Sequence, residues 1–116
     1  MSVKTSSYKL GIEAELLVAQ YFQSLGFSLI SQRYKTKFGE IDLIVKKENQ
    51  LIFVEVKARS KQIPIEDLIT KKQIDRNYAA AEFFLSESQQ YTNYDCRFDL
   101  VVLWKEKIIY HIKGDL

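Results

Sequence analysis

A chain of 116 residues is most simply one domain, large enough to bury one real core. Its 47% apolar and 28% charged residues are ordinary for a soluble globular protein, and a formal net charge of +2 is too small to imply a nucleic-acid partner by itself. Cys96 is the single cysteine, which excludes a disulfide framework and a thiolate metal cluster. The N-terminal MSVKTSSYK has no apolar signal region, and no apolar run approaches the roughly 20 residues that span a bilayer, so the expectation is a cytoplasmic protein away from membranes.

In chain order, Ser6 and Ser7 are candidate N-caps for a helix running to about Gly26, which takes the usual terminating role. Ile12, Leu16, Ala19 and Phe22 recur along it at helical spacing, with Val18, Tyr21 and Leu25 widening the stripe. Residues 27–34 alternate as a first strand, and the stretch FGEIDLIVKKENQLIFVEVKAR (38–59) reads as a hairpin of two further strands. The single proline, Pro64, marks a loop, and a second helical pattern runs from about Glu66 to Ser88 through Leu68, Ile69, Ile74, Tyr78, Ala81 and Leu85. Residues 95–104 and 107–113 supply two more strands. The order α-β-β-β-α-β-β predicts an α/β domain with a mixed sheet of about five strands flanked by two helices.

Charge is unevenly spread. Residues 33–76 carry eleven Lys/Arg against seven Asp/Glu, while the rest carries six against eight. A basic half is compatible with a polyanion partner and equally with an ordinary solvated surface.

The hairpin carries the chemistry. A turn centred on Glu48-Asn49 pairs residues whose numbers sum to 97, which puts Asp42 opposite Glu55 and Glu40 opposite Lys57. All four then project from one face, whose inner end is apolar with Ile44 opposite Phe53. The other face is a core face of Ile41, Leu43 and Val45 against Ile52, Val54 and Val56. Two facing, partly buried carboxylates repel, and a hard divalent cation, Mg²⁺ or Mn²⁺, relieves that repulsion. The bland alternative is a solvated polar patch with salt bridges, but the strands around it are unusually apolar. A cation on Asp42 and Glu55 beside Lys57 suits phosphodiester hydrolysis: Lewis acidity from the metal, and a lysine that orients or deprotonates water or stabilises transition-state charge.

GEIDLI followed by FVEVKAR resembles the YraN family of predicted endonucleases, within the PD-(D/E)XK restriction-endonuclease-like superfamily and near archaeal Holliday-junction resolvases. The resemblance extends from about residue 11 to 103. Glu15 with Gly26 eleven residues later and Tyr21-Phe22 between resembles the family's first helix. Lys72-Gln73 resembles a lysine near the start of its second helix, and Arg97-Phe98-Asp99-Leu100-Val101 its RFD strand. It implies a restriction-endonuclease-like fold, a catalytic set of Asp42, Glu55 and Lys57 with Glu15 approaching from the first helix, and the backbone carbonyl of Val56 as a further metal ligand. The chain departs from the pattern at Arg33, where Asn usually precedes Tyr-Arg. It departs also at Val18, where alanine is usual, and at Ile41, where the superfamily often has proline although the family itself favours isoleucine. Arg33 then becomes a candidate substrate contact.

Lys35, Lys37, Arg59, Lys61, Lys72, Lys71 and Arg76 are candidates for phosphate contacts, each against an ordinary surface role. Arg97 and Asp99 share a strand face and are favoured as a structural ion pair; His111 is a lone histidine unsuited to a metal site; Trp104 and the tyrosines form no stacking platform. The leading expectation is a Mg²⁺- or Mn²⁺-dependent endonuclease acting on DNA, with branched or structured DNA among the candidate substrates, and a homodimer by analogy with resolvases. The alternative is a nuclease-fold module that binds nucleic acid or a protein partner without cutting.

Overall fold

The computed structural model describes residues 3–59, 64 and 67–114, with side chains from Gly11 onward. The elements follow the expected order: α1 (Val3–Ser24), β1 (Ser28–Lys35), β2 (Glu40–Lys47), β3 (Gln50–Arg59), α2 (Lys71–Glu87), β4 (Asp95–Trp104) and β5 (Lys107–Lys113). The five strands make one mixed sheet in the spatial order β1-β2-β3-β4-β5. Every neighbouring pair is antiparallel except β3 and β4, which run parallel. Parallel neighbours need a long crossover, and α2 supplies it.

The helices cover opposite faces because the inner strands alternate in what they present. Ile52 and Val54 of β3 join Leu43, Val45, Val101 and Leu103 against Ala14, Val18, Ala19 and Phe22 of α1. Leu51 and Phe53 of the same strand turn the other way, toward Ala80, Ala81 and Phe84 of α2. The result is three layers.

Helix α1 begins at Val3, so Ser6 and Ser7 lie within it and are not its caps. Serine costs only a few tenths of a kcal/mol inside a helix, so a cap-type residue does not by itself fix the start. At the other end Gly26 has φ +93°. The N–H groups of Phe27 and Gly26 donate to the carbonyls of Phe22 and Gln23, and the Phe22 and Phe27 rings meet edge-on, which is a Schellman ending with its apolar contact. The buried line of α1 differs from the expected stripe. Leu16 and Leu25 are exposed, while Ala14, Glu15, Val18, Ala19 and Phe22 are buried. Small alanines let the helix lie close to the sheet, and the larger leucines face away.

Helix α2 starts later than expected, at Lys71; of residues 60–66, where the pattern seemed to begin, only Pro64 is described. Thr70 is its N-cap, with Gln73 completing a capping box: the Thr70 hydroxyl accepts the Gln73 N–H, and the Gln73 side chain accepts the Thr70 N–H. Leu68 therefore lies before the helix, packed against Leu100 and Val102. The buried stripe of α2 is Asn77, Ala80, Ala81 and Phe84, with Tyr78 exposed.

Candidate active site at a parted strand pair

The turn at Glu48-Asn49, with Glu48 at φ +54°, sets the expected register: Lys47 faces Gln50, and the pairing continues to Leu43 facing Val54. There it stops. The expected ladder pairs Asp42–Glu55 and Glu40–Lys57 do not form. β2 remains paired to β1 as far as Glu40, and β3 to β4 as far as Arg59, so the split runs between β2 and β3 alone. At the split, Asp42 Oδ2 accepts the Val56 N–H at 2.8 Å. A side-chain carboxylate stands where a strand carbonyl would otherwise accept that bond. The inside–outside alternation of β2 slips at the same point: Ile41, expected on the face of Leu43, packs in the α2 cluster.

The parted strands hold the two carboxylates together without a ladder. Burial, and then the neighbouring charge of Asp42, push the Glu55 carboxyl up to about 7 from an ordinary 4.5, against the pull of Lys57. Asp42 is also raised, by burial, and is held back by the Val56 N–H, by its hydrogen bond with Glu55 and by Lys57. Both carboxyls are therefore harder to ionise than ordinary acids, as closely placed, part-buried acids are. Glu55 is fixed from two sides. Lys57 Nζ lies 3.5 Å from its Oε1, and Asn77 Nδ2 donates to its Oε2 at 3.0 Å. Lys57, expected across from Glu40, is thus the partner of Glu55, because Glu40 leaves with β2.

Asn77 has no counterpart among the expected site residues. Its signal was in the sequence nonetheless: it occupies the first position of the buried line 77, 80/81, 84 and is the polar member of an otherwise apolar stripe.

On the α1 side Glu15 is buried, and Arg33 holds it through Nε at 3.0 Å and Nη2 at 3.3 Å. Burial and the charge of Asp42 raise the Glu15 carboxyl, and Arg33 pulls it down. A bulge between Leu29 and Ser31 shifts β1 so that Arg33 falls across from Asp42, between the pairs Gln32–Leu43 and Tyr34–Ile41. Arg33 has φ +51°, a left-handed backbone that costs a non-glycine residue about 1–2 kcal/mol. Glu15, Arg33, Lys35, Glu40, Ile41 and Asp42 line a cleft of about 170 Å³.

The remaining basic candidates divide. Lys35 and Lys37 are exposed at the β1–β2 end, and Lys72 is exposed on the first turn of α2. Arg59 is half-buried and donates to the carbonyls of Ala58 and Leu68, so it tethers the segment before α2 to the sheet. Lys61 lies outside the described residues. Asp99, fully buried, accepts both Arg97 Nε at 2.7 Å and Nη2 at 2.9 Å, the structural ion pair expected. His111 Nε2 lies 2.7 Å from Asp99 and its Nδ1 2.7 Å from the Tyr21 hydroxyl, so this network ties β4 and β5 to α1.

Among the described residues no three His, Cys, Asp or Glu side chains converge as a metal ligand set, and no helix is long and apolar enough to cross a membrane. A cation at this site would rest on Asp42 and Glu55 and on donors that are not side chains. Two neighbouring, part-buried hard carboxylates fit a cation that keeps most of its waters.

Residues 14–103 match the family described as Uncharacterised protein family UPF0102. A UPF0102 protein of Rhodopseudomonas palustris (strain BisB18) is 32% identical over 109 residues, covering 94% of this chain and 81% of that protein. One of Bartonella tribocorum is 36% identical over 100 residues, covering 86% and 77%. One of Nitrobacter winogradskyi is 29% identical over 112 residues, covering 97% and 95%. With the match spanning the second half of α1, β1 to β3, α2, nearly all of β4 and every residue lining the cleft, the chain belongs to the UPF0102 family.

Proposed function

We propose that this protein is a metal-dependent endonuclease that hydrolyses phosphodiester bonds in DNA. The observation that carries the proposal is the neighbouring carboxylates of Asp42 and Glu55, held where β2 and β3 part, with Lys57 Nζ 3.5 Å from Glu55 Oε1. Two like charges this close oppose each other unless a cation lies between them. The resemblance of GEIDLI…VEVK to predicted endonucleases supports the same reading.

Asp42 and Glu55 would hold Mg²⁺ or Mn²⁺, with the Val56 carbonyl, implied by the resemblance, as a further donor. Bound there, the cation supplies Lewis acidity to the phosphoryl oxygens and to water. The protein's own groups do the rest. Val56 N–H fixes one oxygen of Asp42 and leaves the other for the site. Asn77 fixes Glu55 from α2. Lys57 orients or deprotonates the attacking water and offsets charge that accumulates on phosphorus. Arg33 and Lys35 on the cleft wall receive phosphate, and Glu15, carried by α1, sets how far Arg33 can reach.

The test is titration of Mg²⁺ or Mn²⁺ with linear, forked and four-way DNA, comparing wild type with Asp42→Asn and Lys57→Ala. Wild type should cleave at least one substrate, and both variants should lose cleavage by a factor of a hundred or more, roughly the contribution of a positioned acid–base or charge-stabilising group. Equal cleavage by all three proteins refutes the assigned site. Binding without cleavage under every metal points to the non-cutting module.

A further inference from the structure

The β1–β2 connection Thr36-Lys37-Phe38-Gly39 leads directly into Glu40 and Asp42. It is a rigid turn. Thr36 N–H donates to the Gly39 carbonyl at 2.9 Å, and the Thr36 hydroxyl donates to the same oxygen while accepting the N–H groups of Phe38 and Gly39 at 3.0 and 3.1 Å. Gly39 is clamped against α2: a Cβ there would lie 2.1 Å from the Arg76 carbonyl oxygen. This stiff turn holds out Phe38, 48% exposed, with one edge leaning on Phe83 at 5.7 Å between centroids. Lys37 Nζ sits 5.2 Å from its ring centre. Lys35, also exposed, stands on the cleft wall with Asp42.

A phenylalanine at a turn tip gains little burial for its own fold, and a polar residue would serve the turn as well. Its position gives it a use. Asp42 lies four positions further along the chain, so the two Cα atoms are at most about 14 Å apart. An aromatic face next to lysines, beside a site for a phosphodiester, is the combination that captures an unstacked base while the basic groups hold its backbone. A continuous duplex offers no free base face; a fork, flap or junction does.

We infer that Phe38 is a stacking platform for an unpaired base, and that it directs the site to duplex DNA at a junction with single strand. The inference rests on the proposed nuclease reading and names the substrate class of that site. The expectation that Trp104 and the tyrosines form no platform did not weigh the phenylalanines, and Phe38 is placed by its turn.

The experiment measures binding by fluorescence anisotropy with Ca²⁺ in place of Mg²⁺, for wild type, Phe38→Ala and Phe38→Trp, against a forked duplex and a continuous duplex of equal length. A 2-aminopurine at the first unpaired position of the fork reports stacking. Wild type should prefer the fork by about tenfold, a typical contribution of one stacked base. Phe38→Ala should lose that preference with duplex affinity unchanged, and Phe38→Trp should keep it. Wild type and Phe38→Trp should quench the 2-aminopurine, and Phe38→Ala should not. The inference is overturned if Phe38→Ala keeps the preference, if it weakens both DNAs equally, if it changes only self-association in sedimentation, or if wild type binds neither DNA. Phe38-dependent binding and quenching with no cleavage in Mg²⁺ or Mn²⁺ would sustain the platform and sink the nuclease reading. Cleavage with a preference indifferent to Phe38 would do the reverse.

Discussion

Replacing Glu55 by glutamine should stabilise the metal-free protein most above about pH 7 and leave it nearly unchanged below about pH 4.5. The folded-state carboxyl titrates at about 7 and its ordinary value is 4.5. Below about 4.5 Glu55 is neutral in both folded and unfolded chains and carries no penalty. Between 4.5 and 7 the unfolded chain has released a proton that the folded chain still holds, so stability falls by about 1.4 kcal/mol per pH unit. Above 7 the loss is complete, at about 3 kcal/mol. Glu55 is only 13% exposed in its side chain, so solvent screening removes little of this. Glutamine keeps an oxygen for Asn77 and an N–H for Asp42, and it has nothing to ionise. For a chain of 116 residues, about 3 kcal/mol corresponds to a melting point higher by about 10 °C at pH 8. Thermal melts in EDTA at pH 4.5, 6 and 8 measure it. The gap between variant and wild type should open as pH rises, and millimolar Mn²⁺ should close it by stabilising wild type alone. A constant gap across pH, or a variant less stable at pH 8, would refute the raised Glu55 carboxyl.

Two other outcomes follow from named contacts. Asn77→Ala removes the donor that fixes Glu55 Oε2, and loss of a group that orients a metal ligand typically costs 10- to 100-fold in affinity; Mn²⁺ titration by calorimetry should show that drop with the far-ultraviolet circular dichroism unchanged. Gly39→Ala drives a methyl group to 2.1 Å from the Arg76 carbonyl oxygen, and because backbone cannot rotate aside as a side chain can, denaturant unfolding should show a loss of at least about 3 kcal/mol.

Most of the fold was legible because strong periodic signals lay in short segments. The β2–β3 turn and its sum rule gave the correct register for Leu43–Lys47 against Gln50–Val54, and the strands of residues 95–104 and 107–113 fell where their apolar runs lie. Two of the misses, the start of α2 and the end of the β2–β3 ladder, coincide with side chains that take over backbone roles. Thr70 and Gln73 bind each other's N–H groups and start α2 there, where an apolar count extended it toward Glu66. Asp42 takes over an accepting position where the ladder ends, although alternation alone would have continued it. Of the site, Asp42, Glu55 and Lys57 were readable from their setting among apolar neighbours. Asn77 escaped because its contact with Glu55 bridges 22 residues and two elements. Arg33 was noticed as a substitution, but its bond to Glu15 depends on a bulge and a left-handed residue that no periodicity encodes.

Asp42 therefore has two separable jobs, and the choice of variant decides which is measured. Its Oδ2 satisfies the Val56 N–H in a position that is largely shielded from water, while its charge opposes Glu55. Alanine removes both. It relieves the repulsion, yet it leaves an N–H unpaired next to the split, at a cost of about 1–3 kcal/mol. Asparagine keeps an acceptor oxygen for Val56 and removes only the charge. In EDTA at pH 8, Asp42→Asn should be more stable than Asp42→Ala, and at least as stable as wild type, by denaturant unfolding. Should the two variants prove equally stable, the Asp42–Val56 bond is not what holds the strands apart, and the opening must be set by α1 and α2 pressing from either side. If asparagine wins, one hydrogen bond both opens the sheet and aims the carboxylate. A loss of activity in Asp42→Asn then reports the charge, with the scaffold left standing.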